Sequence, residues 1–248
     1  MKKIHLSLVA MLLLGAVACT KNNGSMPAVG GNVSSDEAAS MVAGSVSLNS
    51  NGVANLAGDA AVDATIIVAT PNACGTIKSD SISRKSSAGA AFSFSYSLKY
   101  NFTVDCNSSN QPDSLSSMLT YSGSFSGPRI SSTNSGSSNF TVNGLLPAAT
   151  DFVVNGEYKR AGSFASKIDT TNHGSSNIDI MIHALTVTKH VRTIASGSAN
   201  ISVTGSVPNK GSFSYTGTLV FNGNGTATLT LNGTVYIINL NSGDCSRV

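Results

Sequence analysis

Cysteine and histidine are the residue types here that could carry chemistry its many serines cannot. Beyond residue 70 lie Cys74, Cys106 and Cys245, with His173, His183 and His190. Thiols and imidazoles at close spacing would hold zinc, but the sequence has neither a C-x-x-C pair nor a Cys/His cluster. No metal is therefore expected. No carboxylate stands at ligand spacing from any of the histidines, which read as solvated surface residues. A Ser-His-Asp triad is recognised in space rather than in sequence, yet no Gly-x-Ser-x-Gly elbow marks a nucleophile. Asn222-Gly223-Asn224-Gly225 is glycine-rich but joins two strand-like runs, so it reads as a turn and not a phosphate cradle. Acidic residues are scattered, with no carboxylate pair for glycoside chemistry and no calcium loop. The expectation is a protein without catalytic residues or cofactor, and not an enzyme. A hydrolase with a dispersed triad is the remaining enzymatic alternative.

The fourth cysteine has a different context. Lys2 and Lys3 precede the mostly apolar run Ile4–Leu14, and small residues follow from Gly15 to Ala18. This is the three-part pattern of a secretory signal peptide, too short for a span of about 20 residues. Ala16-Val17-Ala18-Cys19 resembles the lipobox of bacterial lipoprotein precursors, with Ala16 where leucine is more usual. The resemblance covers only about the first 20 residues. It implies removal of residues 1–18, lipid on Cys19 and a membrane anchor, since several acyl chains hold where one is marginal. Thr20 stands where an aspartate would favour inner-membrane retention, so the same resemblance implies the outer membrane, on its periplasmic or surface face. The alternative is an ordinary signal peptide that leaves Cys19 as a free thiol. Residues 19–34, rich in Asn, Gly, Ser and Pro, read as a flexible tether.

An exported chain meets an oxidising compartment, where cysteines pair. Cys74 with Cys106 is the expected pair, because their segments look like neighbouring strands. Cys245 is then a free or intermolecular thiol. Without residues 1–18 the formal charge falls from +3 to about +1, with no basic patch for nucleic acid. Charged residues are only 11% of the chain, against about 25% in a typical domain. Ser, Thr, Asn and Gly carry the polarity instead.

These residues must be positioned by strands. Phe92, Phe94, Tyr96, Leu98, Tyr100, Phe102, Val104 and Cys106 alternate with polar residues, which buries one face of a long strand. Lys78–Arg84 is its expected partner across a Lys85–Gly89 turn. The alternation returns at Leu119–Phe125, Phe152–Tyr158 and Phe213–Phe221, and strand pattern is expected from about residue 60 onward. Asn232-Gly233 between two such runs predicts a type I′ hairpin. Short turns without helices between them require an antiparallel sheet. Ser34 and Glu37 stand at capping-box spacing and predict one short helix over Ser35–Val46, with a continued loop as the alternative.

Residues 121–142 and 158–180 form an internal repeat. Both contain Gly-Ser-Phe, then a basic residue and Ile, then Thr-Asn-x-Gly-Ser-Ser-Asn. Each reads as strand–loop–strand, with loops at Thr133–Asn139 and Thr171–Asn177 emerging at the same end of the sheet. Thr133, Asn134, Ser137, Asn139, Thr171, Asn172, Ser175 and Asn177 are the candidate binding-loop residues. Turn chemistry kept from a duplication is the plainer reading; a polar rim for a glycan or protein is the sharper one. Gly123, Gly156, Gly205 and Gly217 fall in phase with the apolar positions and suggest coiling of the sheet, or space for an apolar ligand.

The expected architecture is all-β: residues 35–248 as one antiparallel domain, its sheet strongly coiled into a sandwich or incomplete barrel. The expected role is a membrane-anchored envelope lipoprotein with a non-enzymatic binding or structural function. Its partners would be the membrane, through the lipid, and a glycan, lipid or envelope protein. A carrier of a lipid-like molecule on the apolar face of a cup-shaped sheet is the alternative.

Overall fold

A computed structural model describes residues 33–90 and 92–248. The signal segment, Cys19 and nearly all of the expected tether lie outside the described residues. Two helices come first: α1 (Ser35–Val46) and α2 (Val53–Val68), joined through a single 3-10 turn, Leu48–Ser50. Eleven strands follow: β1 (Ile77–Lys85), β2 (Ser93–Cys106), β3 (Pro112–Ser126), β4 (Ile130–Asn143), β5 (Asp151–Ser166), β6 (His173–Thr188), β7 (Ile194–Val207), β8 (Gly211–Phe221), β9 (Thr226–Leu231), β10 (Thr234–Asn239) and β11 (Cys245–Arg247). They form one antiparallel sheet whose spatial order is the chain order.

The first helix starts where its cap requires. Glu37 N–H donates to Ser34 Oγ at 3.2 Å, and Ser34 N–H donates back to Glu37 Oε2 at 2.9 Å. Two of the orphan donors at the start of the helix are thereby satisfied, and α1 runs over the expected residues. Val33, expected in the tether, is instead buried, and its carbonyl accepts a hydrogen bond from the Tyr215 hydroxyl at 2.6 Å. The folded domain therefore includes Val33 and Ser34.

The second helix overturns the strand expected from residue 60. Val53, Leu56, Ala57, Ala60, Ala61, Ala64 and Ile67 are buried, at the three- and four-residue spacing of a helical stripe. The run Thr65–Val68 is β-branched and suggests a strand, but it only ends the helix. Gly52 sits where the helices come together. A Cβ there would lie 2.7 Å from the backbone of Ser45 and Val46.

The sheet alternates as expected. In β2, Tyr96, Leu98, Phe102 and Val104 are buried, while Ser95, Ser97, Lys99 and Asn101 are exposed. The opposite, solvent face is largely Ser, Thr and Asn. The sheet does not become a sandwich or a barrel. It neither closes nor curls strongly, and β1 and β11 each pair on one side only. The reason is the helical layer. α1 and α2 cover the apolar face, so neither a second sheet nor closure is needed to bury it. The open edges are blunted in ordinary ways: β1 carries Lys78, Arg84 and Lys85, and β11 has three residues.

Local details follow the residue types. Asn232 and Gly233 have φ of 45° and 83°, the positive values that a type I′ turn between β9 and β10 needs. Cys74, in the loop after α2, is disulfide-bonded to Cys106 at the end of β2, with Cα atoms 5.6 Å apart. Cys245, on β11, is unpaired and half-buried.

Candidate functional site

The residues nominated from the repeat do not form a loop rim. Thr133, Asn134, Ser137 and Asn139 lie in the middle of β4, and Ser175 and Asn177 lie in β6. Only Thr171 and Asn172 fall in a turn. Turn-forming residue types here occupy strand positions, because alternation sends each to one face. Asn134 and Asn172 are equivalent in the repeat, and both point inward and are buried. Asn134 Nδ2 donates to the Tyr96 hydroxyl at 3.1 Å and to Ser132 Oγ at 2.9 Å. Asn172 Nδ2 lies 3.1 Å from each carboxylate oxygen of Glu37. Thr133, Ser137, Asn139, Ser175 and Asn177 face outward. Ser137 and Asn139 line a shallow groove of ≈ 500 Å³ with Lys99, Asn101 and Met118.

The duplication is still plain in space. Its copies are the hairpins β3–β4 and β5–β6, and their turns meet at one end of the sheet. Lys167 N–H donates to Arg129 O at 2.8 Å, and Lys167 Nζ donates to Gly127 O at 2.7 Å. The histidines are dispersed: His173 and His183 are exposed on the outer face of β6, and His190 lies in the turn after it. Among the described residues, no group of three His, Cys, Asp or Glu side chains is placed to hold a metal.

The unusual chemistry lies under the helices. In β5 the apolar alternation Phe152, Val154, Tyr158 continues to Arg160, which therefore points inward and is 5% exposed. Its neighbours across the sheet are Gly136 on β4 and Ile178 on β6. Gly136 is required there, because a Cβ would lie 2.0 Å from Lys159 O and 2.4 Å from the Tyr121 hydroxyl. Its absence lets the Tyr121 ring cross β4, so that its hydroxyl donates to Lys159 O at 3.0 Å. Gly123 likewise makes room for the Tyr96 ring. Of the four glycines expected to coil the sheet or leave a cavity, Gly123 seats the Tyr96 ring and Gly205 the Phe213 ring, while Gly156 and Gly217 lie against the backbone of the neighbouring strand.

The result is a cation among three phenols. The guanidinium centre is 6.0 Å from the Tyr96 ring and 5.7 Å from the Tyr158 ring. The Tyr121 and Tyr158 rings stack at 5.8 Å. Burial pushes the hydroxyls of both Tyr121 and Tyr158 above the usual phenol range, so both are neutral at physiological pH. Arg160 Nη1 donates to Gly44 O at 2.7 Å and Nη2 to Ser50 O at 2.8 Å. Nε reaches the Tyr121 oxygen only at 3.5 Å. No carboxylate accepts from this guanidinium among the described residues. Asn134 Oδ1 is buried without a hydrogen-bond partner, and the buried Tyr158 hydroxyl has only the Tyr121 hydroxyl beside it, at poor geometry. A cavity of ≈ 20 Å³ lies beside Arg160, lined also by Met41, Gly44 and Ile178, about the room one water needs.

Sequence reading passed over Arg160. The signal was available: a charged residue in phase with the apolar Phe152, Val154 and Tyr158 is a buried charge in waiting. Comparison of the chain with protein-family models, curated proteins and solved structures finds no match.

Proposed function

We propose that this chain is a cell-envelope lipoprotein, anchored to the outer membrane by lipid on Cys19, that acts by binding and not by turnover. The observation that supports the reading is the Cys74–Cys106 disulfide, a bond that persists where the surroundings are oxidising and that agrees with the export signal and the lipobox-like Ala16–Cys19. The hydroxyl- and amide-rich outer face suits contact with a glycan or an envelope protein through hydrogen bonds. The test is the intact mass of membrane-extracted protein beside a Cys19→Ala variant. A diacyl or triacyl mass starting at Cys19, lost in the variant, is the expected result. An unlipidated mass starting at Cys19 would replace the anchored protein with a secreted one.

A second reading, carriage of a lipid-like molecule on the apolar face of the sheet, is favoured by one feature. That face is covered by a single continuous N-terminal segment, α1 through α2. Displacing it would break no pairing of the sheet, only the contacts that fasten it, among them Leu48 N–H to Leu240 O and the Arg160 and Asn172 hydrogen bonds.

A further inference from the structure

We infer that the carried molecule is an anionic amphiphile, and that its headgroup binds Arg160 in the place now held by the carbonyl oxygens of Gly44 and Ser50. The inference rests on the carrier reading. Its basis is the mismatch between Arg160 and its surroundings. A buried guanidinium is costly unless a counter-charge and a full set of acceptors meet it. Here it meets neutral phenols and two backbone oxygens, one on each terminal nitrogen. Two oxygens on Nη1 and Nη2 are the arrangement that a carboxylate or phosphate presents to a guanidinium fork. The helical cover therefore acts as a stand-in for an oxyanion, supplying two oxygens and the partial negative charge of the α1 C-terminus but not a full counter-charge.

The surroundings fit the rest of such a molecule. Leu98, Ile178 and Val203 share the cross-strand row of Arg160, and Ile180 and Ile201 lie in the next. They give an apolar bed for a chain once α1 and α2 have moved. Asn134 Oδ1, without a partner, and the Tyr158 hydroxyl, with only the Tyr121 hydroxyl beside it, mark the same spot as polar but incompletely satisfied. A phenol there can donate to a headgroup oxygen. Across the face toward the helix start, Glu37 is already matched by Asn172, so Arg160 is where an added anion improves the electrostatics most.

The probe is dansyl-undecanoic acid, whose fluorescence rises on transfer to an apolar site, set beside its uncharged methyl ester. Both are titrated into the full chain carrying Cys19→Ala, so that lipid on Cys19 does not compete. The acid should bind about tenfold more tightly than the ester, and Arg160→Met should abolish that preference. Gly52→Ala forces α2 away from α1 and lowers the cost of lifting the cover. It should tighten binding of both probes, by roughly threefold, and keep the preference for acid. Equal binding of acid and ester would overturn the anionic headgroup while leaving the carrier reading in place. No binding of either would overturn both. If Arg160→Met does not fold, Gly52→Ala decides: unchanged or weaker acid binding there would show that the site does not lie beneath the helices.

Discussion

Arg160 on β5 donates to the carbonyl oxygen of Gly44, 116 residues earlier in the chain, at 2.7 Å. Gly44 lies in the last turn of α1, where backbone carbonyls have no partner within the helix. The cation thus meets the negative end of the helix dipole. Glu37 does the reverse in the first turn, where Asn172 holds it. The two buried charges pin the two ends of α1 to the sheet, each with the sign that end favours.

Arg160→Met should destabilise the protein by about 1–3 kcal/mol, the cost of leaving the Ser50 carbonyl buried without a donor. The Gly44 carbonyl keeps the Ser50 hydroxyl as a donor, and no longer burying a charge gives some relief. Arg160→Lys should recover only part of the loss, because an ammonium presents no planar fork to two acceptors at once. Urea denaturation of the three proteins measures this. A methionine variant as stable as the wild type would mean that the clamp contributes nothing net.

Gly136→Ala should cost about 3 kcal/mol or more, above the usual price of overpacking, since the added carbon meets a neighbouring strand's carbonyl as well as Tyr121. Near-ultraviolet circular dichroism should lose tyrosine signal as the ring is expelled. Gly58→Ala is the control. It lies on α2 with nothing within 4 Å of an added Cβ, and should stabilise slightly through helix propensity.

Much of the sheet was legible because its rule is local. From Phe94 to Val104 the alternation is a property of neighbouring residues, and Asn232-Gly233 states its own turn. The capping box at Ser34 and Glu37 is equally local. What escaped depends on distance in sequence. Ala57, Ala60, Ala61 and Ala64 are small enough to suit many settings, and only contact with the sheet makes them a helix stripe. Closure of the sheet follows from taking Gly123, Gly156, Gly205 and Gly217 as marks of coiling; in the structure α1 and α2 cover the apolar face and the sheet stays open. Thr133–Asn139 looked like a loop because Ser, Thr, Asn and Gly favour turns, yet on an outward strand face they simply meet water. Arg160 could be placed inward by counting from Tyr158, but its partners, Gly44 and Ser50, could not be read from any spacing.

Reduction of the Cys74–Cys106 disulfide should cost about 3–4 kcal/mol, from the entropy of the loop it closes across a separation of 32 residues. The intact mass should rise by that of two hydrogen atoms on reduction, as each sulfur gains one. Before reduction, Cys245 should react slowly with iodoacetamide at mildly alkaline pH, because burial pushes its thiol up to about 12 and the thiolate is the reactive form. Rapid labelling of Cys245 in the folded protein would contradict its placement on β11.

Asp63 gives a test by pH. It lies on α2 facing β1, and its carboxyl is held above the ordinary aspartate range, first by burial and then by the charges of Asp59 and Asp80; Lys78 and Arg84 oppose this. A carboxyl raised in the folded state binds its proton more tightly there than in the unfolded chain. The stability it contributes is therefore present below the ordinary value of 3.8 and lost as pH rises through the folded value. Asp63→Asn keeps the neutral form at every pH. The variant should melt at a higher temperature than wild type at about pH 7 and at nearly the same temperature at about pH 3. A lower melting temperature at neutral pH would instead mean that attraction to Lys78 and Arg84 outweighs burial, and that this end of α2 is fastened to β1 by charge.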